Sequence, residues 1–271
     1  MAGSDPSQGL WGVGLVLGAP DGAAAPFDVL AAAVRAADVA AAAGCTSLWV
    51  AEATAEPPAR VPYEAYSLLG ALAARSHTVR LGSVADPAQR RAPSMLAKIV
   101  TGVDVLSGGR AVLALDGDAD RDGDAARLAE ALAVARAVLE DDHPTVEGRI
   151  YHVDDAVNRP APVQPGGVPL AVFLRGDGPA VSPLLDVCAR AADAVLVSGG
   201  PAAVAEAAGR LADGVPDRHR RGARPQVLGR LPGRPGVVAA LAGIRAQGAD
   251  GCLVELPAPW DADGLAAELV W

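Results

Sequence analysis

The sequence predicts a (β/α)8 barrel, in which eight parallel strands form a closed barrel inside a ring of helices. Short apolar runs rich in Val, Leu and Ala alternate with helical stretches almost from end to end. Eight runs of each kind can be counted, which is the number that this barrel requires. The length of 271 residues also suits one such domain. We therefore expect a single α/β domain over residues 1–271, with a doubly wound open sheet as the alternative.

The predicted strands are short apolar runs bounded by turn residues. They span 11–17, 46–51, 78–84, 110–116, 168–174, 193–198, 226–231 and 251–256. The predicted helices lie between them at 27–43, 62–75, 93–106, 121–140, 179–191, 200–213, 235–248 and 261–269. Proline suits a first helical turn, and it stands at four predicted helix starts, namely Pro26, Pro62, Pro93 and Pro179. Gly44 and Gly248 stand where left-handed helix ends are expected.

One segment, 141–167, does not fit the alternation and is called the excursion below. It is rich in Pro and Gly and is too long for an ordinary connection between a helix and a strand. We expect it to leave the barrel between the fourth helix and the fifth strand and to pack outside. Tyr151 and Val153 are expected to form a short edge strand within it.

Composition excludes several classes of function. The formal net charge of −9 and a pI near 4.9 argue against nucleic acid binding, which needs a basic surface. No apolar run approaches the length of a bilayer span, and the first ten residues do not resemble a signal peptide. Cys45, Cys188 and Cys252 are isolated in apolar runs, which predicts free buried thiols rather than disulfides or a zinc site. These features predict a cytoplasmic protein that binds neither nucleic acid nor membranes.

The active face of such a barrel collects the carboxyl ends of the strands. The polar residues at those positions are Asp21, Glu52, Ser83, Asp86, Asp116, Asp118, Arg175, Asp177, Ser198, Arg230 and Glu255. They predict that this end of the barrel, called the mouth below, is acidic and that Arg175 and Arg230 could bind an anion there.

Two glycine pairs and one acidic run near this face are further candidates for binding sites. Backbone N–H groups at a glycine-rich helix start can bind phosphate, and the candidates are Gly176 with Gly178, and Gly199 with Gly200 beside Ser198. Tight turns would explain the same glycines. The run 116–124 contains the D-x-D-x-D-G opening of a calcium loop, but the expected Glu ligand falls on Ala129. We therefore expect a solvated acidic loop and no metal site.

Several longer motifs resemble one enzyme family. In the first half of the chain they are LWVAE at 48–52, PYEAYSLLGALAARS at 62–76, VRLGS at 79–83, RAPSMLAK at 91–98 and DVLSGGR at 104–110. In the second half they are GRIYHVDD at 148–155, PAPVQPGGVPLAVF at 160–173 and GADGCLVEL at 248–256. In this order they resemble the bacterial-luciferase-like family of flavin- and deazaflavin-dependent oxidoreductases.

The resemblance implies a TIM-like barrel that holds FMN or the deazaflavin coenzyme F-420 at the carboxyl ends of the strands. It implies an oxidoreductase or monooxygenase that acts on a small organic substrate, with catalytic roles for Glu52 and Ser83 near the cofactor ring. It also implies a distorted peptide or bulge near Ser83 and Val84, because that strand end in the family commonly carries a strained, non-proline cis bond. The implied cofactor-binding residues are Ser83, Val84, Arg175, Gly176, Gly178, Ser198, Gly199 and Gly200.

Three positions depart from the pattern of that family. Ala53 stands where many deazaflavin-using members have a proton-transferring His, and Ala92 stands where a His often precedes the proline of the third helix. The acidic run 116–124 replaces a Gly-rich segment close to the cofactor. Because carboxylates repel an anionic coenzyme, we expect weak cofactor binding and a protein that purifies without tightly bound flavin. The alternative is a degenerate member without cofactor, acting as a binding module, a partner subunit or a cofactor-free enzyme.

Members of this family usually form dimers, and helices 62–75 and 93–106 are the predicted interface. The stretch 65–74 carries no charge, whereas the outer face of a barrel helix is normally polar. We therefore expect a homodimer, or a heterodimer with a related barrel.

Overall fold

The computed structural model describes residues 12–18, 26–51, 64–84, 91–176, 178–212, 224–233, 237–256, 260 and 264. The strands are β1 (Val13–Leu17), β2 (Ser47–Ala51), β3 (Arg80–Val84), β4 (Ala111–Asp118), β5 (Val146–Glu147), β6 (His152–Val153), β7 (Leu170–Arg175), β8 (Ala194–Val197), β9 (Gln226–Pro232) and β10 (Gly251–Leu256). All except β5 and β6 form one closed parallel barrel in the order β1-β10-β9-β8-β7-β4-β3-β2. The predicted (β/α)8 fold is confirmed, and the open sheet is excluded because β1 pairs with β10.

Helices cover the outside of this barrel. They are α1 (Pro26–Ala42), α2 (Ala65–Arg75), α3 (Pro93–Ser107), α4 (Asp124–Glu140), α5 (Ser182–Ala191), α6 (Pro201–Ala212) and α7 (Val237–Ala246). Pro26 and Pro93 begin helices as predicted, whereas Pro179 lies in a 3-10 turn, Gly178–Val181, that precedes α5. Pro62 and nearly all of the predicted helix 261–269 lie outside the described residues. Gly44 and Gly248 have the left-handed backbone expected at helix ends, with φ of 73° and 94°.

The barrel interior is filled by side chains from alternate positions of the strands. These inner residues are Val16, Trp49, Val84, Val112, Ala114, Ala171, Phe173, Ala194, Leu196, Leu228 and Leu253. Trp49 is fully buried among them, and its indole Nε1 donates to Ser47 Oγ at 2.9 Å. A Cβ at Gly82 would lie 2.5 Å from the Trp49 ring, so glycine at this position provides the space that the indole occupies. Because the interior is filled, we expect a site outside it, at the carboxyl ends of the strands, which form the active face of such barrels.

The excursion packs outside the barrel, as predicted, against α3 and α4. Strands β5 and β6 form its hairpin, in which Val153 belongs to β6 as predicted, whereas Tyr151 lies in the turn that precedes β6. Glu130 on α4 holds the hairpin, since its carboxylate accepts hydrogen bonds from the backbone N–H groups of Ile150, Tyr151 and Arg149 at 2.8–3.0 Å. These bonds, with that from Ile150 the largest cause, lower the pKa of Glu130.

The DVLSGGR motif at 104–110 has a structural role. Asp104 is fully buried, and its carboxylate accepts from the backbone N–H groups of Ala111, Val163 and Gln164 and from the Gln164 side chain. Arg110 donates to the carbonyls of Ala73 and Ser76 at the end of α2, and to three further oxygens. The motif therefore joins α2, β4 and the excursion, at the start of β4 and away from the carboxyl ends of the strands.

The three cysteines are free and buried, which agrees with the sequence-based prediction. Burial raises the pKa of Cys45 to about 11 and that of Cys252 to about 12. Within the part of the chain that the structure describes, no helix is both long and apolar enough to cross a bilayer.

Candidate active site at the mouth of the barrel

One side of the mouth is a wall of small apolar residues. Alternation along the strands directs Gly18, Ala51 and Val84 inward at the carboxyl ends of β1, β2 and β3, which are adjacent in the barrel. Ala51 packs against the inner cluster to which Val84 belongs. A Cβ at Gly18 would lie 2.9 Å from the Leu256 carbonyl oxygen, so a larger residue would crowd this wall.

The other strands carry polar residues at the same end. In barrel order these are Asp116, Arg175, Ser198, Arg230 and Glu255. Arg175 Nε donates to Asp116 Oδ1 at 3.0 Å, and the Asp116 side chain is only 1% exposed. The carboxylate of Asp116 is thus a buried anchor for a guanidinium that is itself 31% exposed.

Arg230 and Glu255 form a second ion pair on the polar side of the mouth. Arg230 Nη2 donates to Glu255 Oε2 at 2.5 Å, and both side chains are partly exposed. The Arg230 guanidinium also lies over the Phe173 ring, 5.3 Å from its centroid. Cation–π contact with Phe173 and the bond to Glu255 fix the plane of this guanidinium from two directions.

The two arginines are aligned by the register of the sheet. Leu174 pairs with Val197, which pairs with Gly229. The next residues on these three strands are Arg175, Ser198 and Arg230, so the arginines flank Ser198 in one row. The Ser198 hydroxyl donates to the Leu174 carbonyl at 2.8 Å, so its hydrogen is already engaged within the sheet.

The acidic run 116–124 is more nearly neutralised than the sequence indicated. Of its five aspartates, Asp116 is paired with Arg175, and the buried Asp124 is paired with Arg127 at 2.5 Å. Asp124 also accepts from the backbone N–H of Asp118 at 2.7 Å, which closes the loop. Two of the five carboxylates therefore have a cation that compensates their charge.

Backbone geometry explains the candidate glycines without a ligand. Gly176 has a φ of 86°, and a Cβ there would lie 2.8 Å from the Ala119 Cβ. Gly178 has a φ of 65° and opens the 3-10 turn before α5. A Cβ at Gly199 would lie 2.5 Å from the Ala203 Cβ, and the Gly200 carbonyl accepts from the first turn of α6. Their role in holding a phosphate stays a prediction.

The predicted catalytic residue Ser83 does not face the mouth of the barrel. Alternation turns Gly82 and Val84 inward, so the Ser83 side chain lies on the helix side of the sheet, fully buried and without a hydrogen-bond partner in the described structure. The Ser83–Val84 peptide bond is trans, since the described residues contain a cis bond only before Pro160. The distorted peptide or bulge expected near it stays a prediction, because the bonds that follow Val84 lie outside the described residues. Glu52 lies outside the described residues.

Comparison with known proteins agrees with this architecture. The model of the luciferase-like monooxygenase family matches residues 14–232. The chain belongs to this family. No curated protein matches the sequence.

Solved structures of low identity share the luciferase-like fold over most of their length. A coenzyme F-420 dependent tetrahydromethanopterin reductase from Methanopyrus kandleri has a TM-score of 0.71 at 16% identity, with 96% of this chain and 97% of the other covered. An F-420-dependent secondary alcohol dehydrogenase, in complex with an F-420–acetone adduct, has a TM-score of 0.69 at 17% identity, with 94% and 96% covered. The monooxygenase RslO1 from Streptomyces bottropensis has a TM-score of 0.67 at 18% identity, with 96% and 79% covered.

Sequence reasoning gathered the charged residues of the mouth but missed how they are supported. It assigned no role to Phe173, which lies beneath Arg230, or to Trp49, which fills the barrel centre. Period-two alternation would have found Phe173, because it lies two positions before Arg175 on the same strand.

Proposed function

We propose that this luciferase-like protein is an oxidoreductase that binds a flavin or deazaflavin in the mouth of the barrel and acts on a small organic molecule. The observation that carries the proposal is the asymmetry of the mouth. A planar ring system has apolar faces and a polar edge, so it requires an apolar wall and hydrogen-bonding groups opposite it. Gly18, Ala51 and Val84 supply such a wall, and the polar ends of β4 and β7 to β10 lie opposite it.

The charges of the mouth also support a cofactor of this class. Arg175 and Arg230 balance Asp116 and Glu255, so these four groups together carry no net charge. The remaining aspartates of the acidic run, such as the exposed Asp120, act on an anionic coenzyme across solvent, where salt screens them. We therefore propose weak but measurable binding rather than loss of the cofactor.

The redox chemistry would come from the bound flavin or deazaflavin. The residues of the chain would orient the reactants and move protons. Glu255 is 35% exposed and hydrogen-bonded to Arg230, so its carboxylate is accessible for proton transfer to or from a substrate hydroxyl. Asp116 is too deeply buried for that role and instead holds Arg175.

The resemblance implies catalytic roles for Glu52 and Ser83, and this proposal keeps only that of Glu52. Glu52 stays a predicted catalytic residue, since it lies outside the described part of the chain. We assign Ser83 no contact with the reactants, because its hydroxyl faces the helices.

Binding of the cofactor is tested by titrating the purified protein with FMN and, separately, with coenzyme F-420. We expect saturable changes in fluorescence for one of them, with a dissociation constant in roughly the micromolar to millimolar range, and no bound flavin in the starting material. The variant Ala51→Phe should abolish the signal, because a phenyl group at the end of β2 would fill the space against the apolar wall.

Ala240→Phe is the matched control, since Ala240 is exposed on α7 outside the barrel. It should bind like the parent protein. Unchanged binding by Ala51→Phe would move the cofactor out of the mouth. Absence of binding for both cofactors at millimolar concentration would favour the degenerate member without cofactor.

We also propose that the protein pairs with a second copy of itself through α2 and α3. Most apolar residues of α2 are buried inside the subunit, and its outer face keeps small residues such as Ser67, Gly70 and Ala74. Large exposed apolar residues stand on the neighbouring α3, among them Met95, which is 57% exposed, and Leu106, which is 62% exposed. Under a two-fold axis, the large apolar residues of α3 in one subunit can pack against the small residues of α2 in the other. A heterodimer with a related barrel is the alternative.

Light scattering after size exclusion tests the dimer. We expect a dimer at micromolar concentration, and we expect Leu106→Glu to be monomeric because it would bury a charge in the interface. Val238→Glu on α7 is the control, as Val238 is also an exposed apolar residue and should leave the dimer intact. A monomeric parent protein would contradict the homodimer and would favour the heterodimer with a related barrel.

A further inference from the structure

We propose that Arg175 and Arg230 form a clamp for a carboxylate group on the substrate, so that the substrate is an organic acid. The inference rests on the proposed function, since it names the class of molecule that the same mouth would accept. It does not depend on which cofactor is bound, and it can be tested in the protein alone.

Unused hydrogen-bond donors are the first argument. A guanidinium has five N–H groups. Arg175 donates to Asp116 through Nε, and neither of its terminal nitrogens bonds to another described residue. Arg230 donates to Glu255 through Nη2, which leaves its Nε and Nη1 without a partner in the described structure. Each arginine is thus held by one nitrogen while the others remain available to a ligand.

The spacing of the two arginines is the second argument. They stand in one row on β7 and β9, with β8 between them, as the pairing of Leu174, Val197 and Gly229 requires. Neighbouring strands are about 4.8 Å apart, so the two Cα atoms are separated by roughly 10 Å. Two long side chains that project inward from that separation can approach the two oxygens of one carboxylate.

Rigidity is the third argument. Arg230 is fixed over the Phe173 ring at 5.3 Å, and Arg175 is fixed by the buried Asp116. Fixed donors bind an anion at a lower entropic cost than mobile surface arginines do. The Arg210–Asp186 pair on α6 and α5 is an example of a mobile surface pair, since its side chains are 43% and 47% exposed.

The charge balance favours a carboxylate over a phosphate group. Asp116 and Glu255 already neutralise the two arginines, so a bound monoanion leaves the cluster at −1. A phosphate dianion would leave it at −2, beside two fixed carboxylates that repel it. An uncharged substrate would use neither set of unused donors fully.

The test uses the full chain labelled with 15N, without cofactor and at low salt, and follows the Nε–H signals of the arginines by NMR. Benzoate is the probe, benzamide is its uncharged analogue, and inorganic phosphate is the phosphoryl probe. We expect benzoate to shift the signals of Arg175 and Arg230, and we expect its binding to weaken as salt is raised. Benzamide and phosphate should bind at least about tenfold more weakly.

Arg175→Lys and Arg230→Lys are the informative variants. Each keeps a positive charge beside its carboxylate, so folding should survive, and a thermal midpoint close to that of the parent checks this. Each should weaken benzoate binding by about tenfold or more, because lysine lacks the planar fork. Arg210→Lys alters the exposed pair with Asp186 and should have no effect.

Several outcomes would overturn the clamp. These are no benzoate binding, equal binding of benzamide, tighter binding of phosphate, and benzoate binding that both lysine variants retain. Cofactor titration gives a separate result. If benzoate binds as expected while FMN and coenzyme F-420 do not, the clamp stands and the proposed redox function fails.

Discussion

Replacing Trp49 with alanine is expected to lower the free energy of unfolding by about 3–5 kcal/mol. The indole is fully buried in the centre of the barrel and packs against the Cα of Gly82. Its removal would leave a cavity that parallel strands held by hydrogen bonds on both sides cannot collapse to fill. Urea denaturation followed by circular dichroism measures the change. A loss below about 1 kcal/mol would mean that the interior rearranges around the gap.

Gly82→Ala tests the same contact from the other side. Its Cβ would lie 2.5 Å from the indole, so we expect a loss of about 1–3 kcal/mol from overpacking. In the double variant with Trp49→Ala, the added methyl group should enter the cavity, so the losses should be less than additive. Gly209→Ala is the control, because nothing lies within 4 Å of a Cβ at that exposed helical position. It should be neutral or slightly stabilising.

Asp104→Ala is expected to lower the free energy of unfolding by about 3 kcal/mol or more. The change would leave the backbone N–H groups of Ala111, Val163 and Gln164 without their acceptor in a buried setting. Asp104→Asn should also destabilise the protein, because the NH2 group of asparagine is a donor and would face backbone N–H groups that need an acceptor. Thermal denaturation and hydrogen exchange of the Val163 amide measure the two effects.

Asp142→Ala is the matched control for Asp104→Ala. Asp142 is an exposed aspartate in the excursion, and its carboxylate meets Arg159 at 2.7 Å. Exposed ion pairs contribute little, so the change should cost less than about 1 kcal/mol. An equal loss in the two variants would show that the buried hydrogen bonds of Asp104 do not stabilise the excursion.

Much of the fold could be predicted because it depends on local pattern. Strand β4 and helix α3 begin within a residue of their predicted starts, since Pro93 sets the first turn of α3 and the Ser107–Arg110 turn separates the two elements. The excursion was recognisable because 141–167 interrupts the periodicity of its neighbours. Local signals of this kind do not require knowledge of distant contacts.

The candidate site was predicted less well, because its geometry depends on alternation and on pairing between strands. Ser83 stands one residue before the end of β3, and alternation along the strand directs its side chain to the helices. The burial of Asp116 and its bond to Arg175 join residues 59 positions apart. No local pattern contains such a pairing.

The sequence by itself determined the eight β/α units, the end of the barrel where polar residues gather, and the family to which the chain belongs. These follow from spacing and from the order of motifs, both of which are properties of a linear chain. Only the tertiary structure decided which charges of the mouth neutralise one another, which side chains face inward, and that Trp49 fills the centre against Gly82. The physical reason is that closing the barrel sets strand register and inter-strand distance, and those two quantities determine whether a carboxylate meets an arginine or repels a ligand.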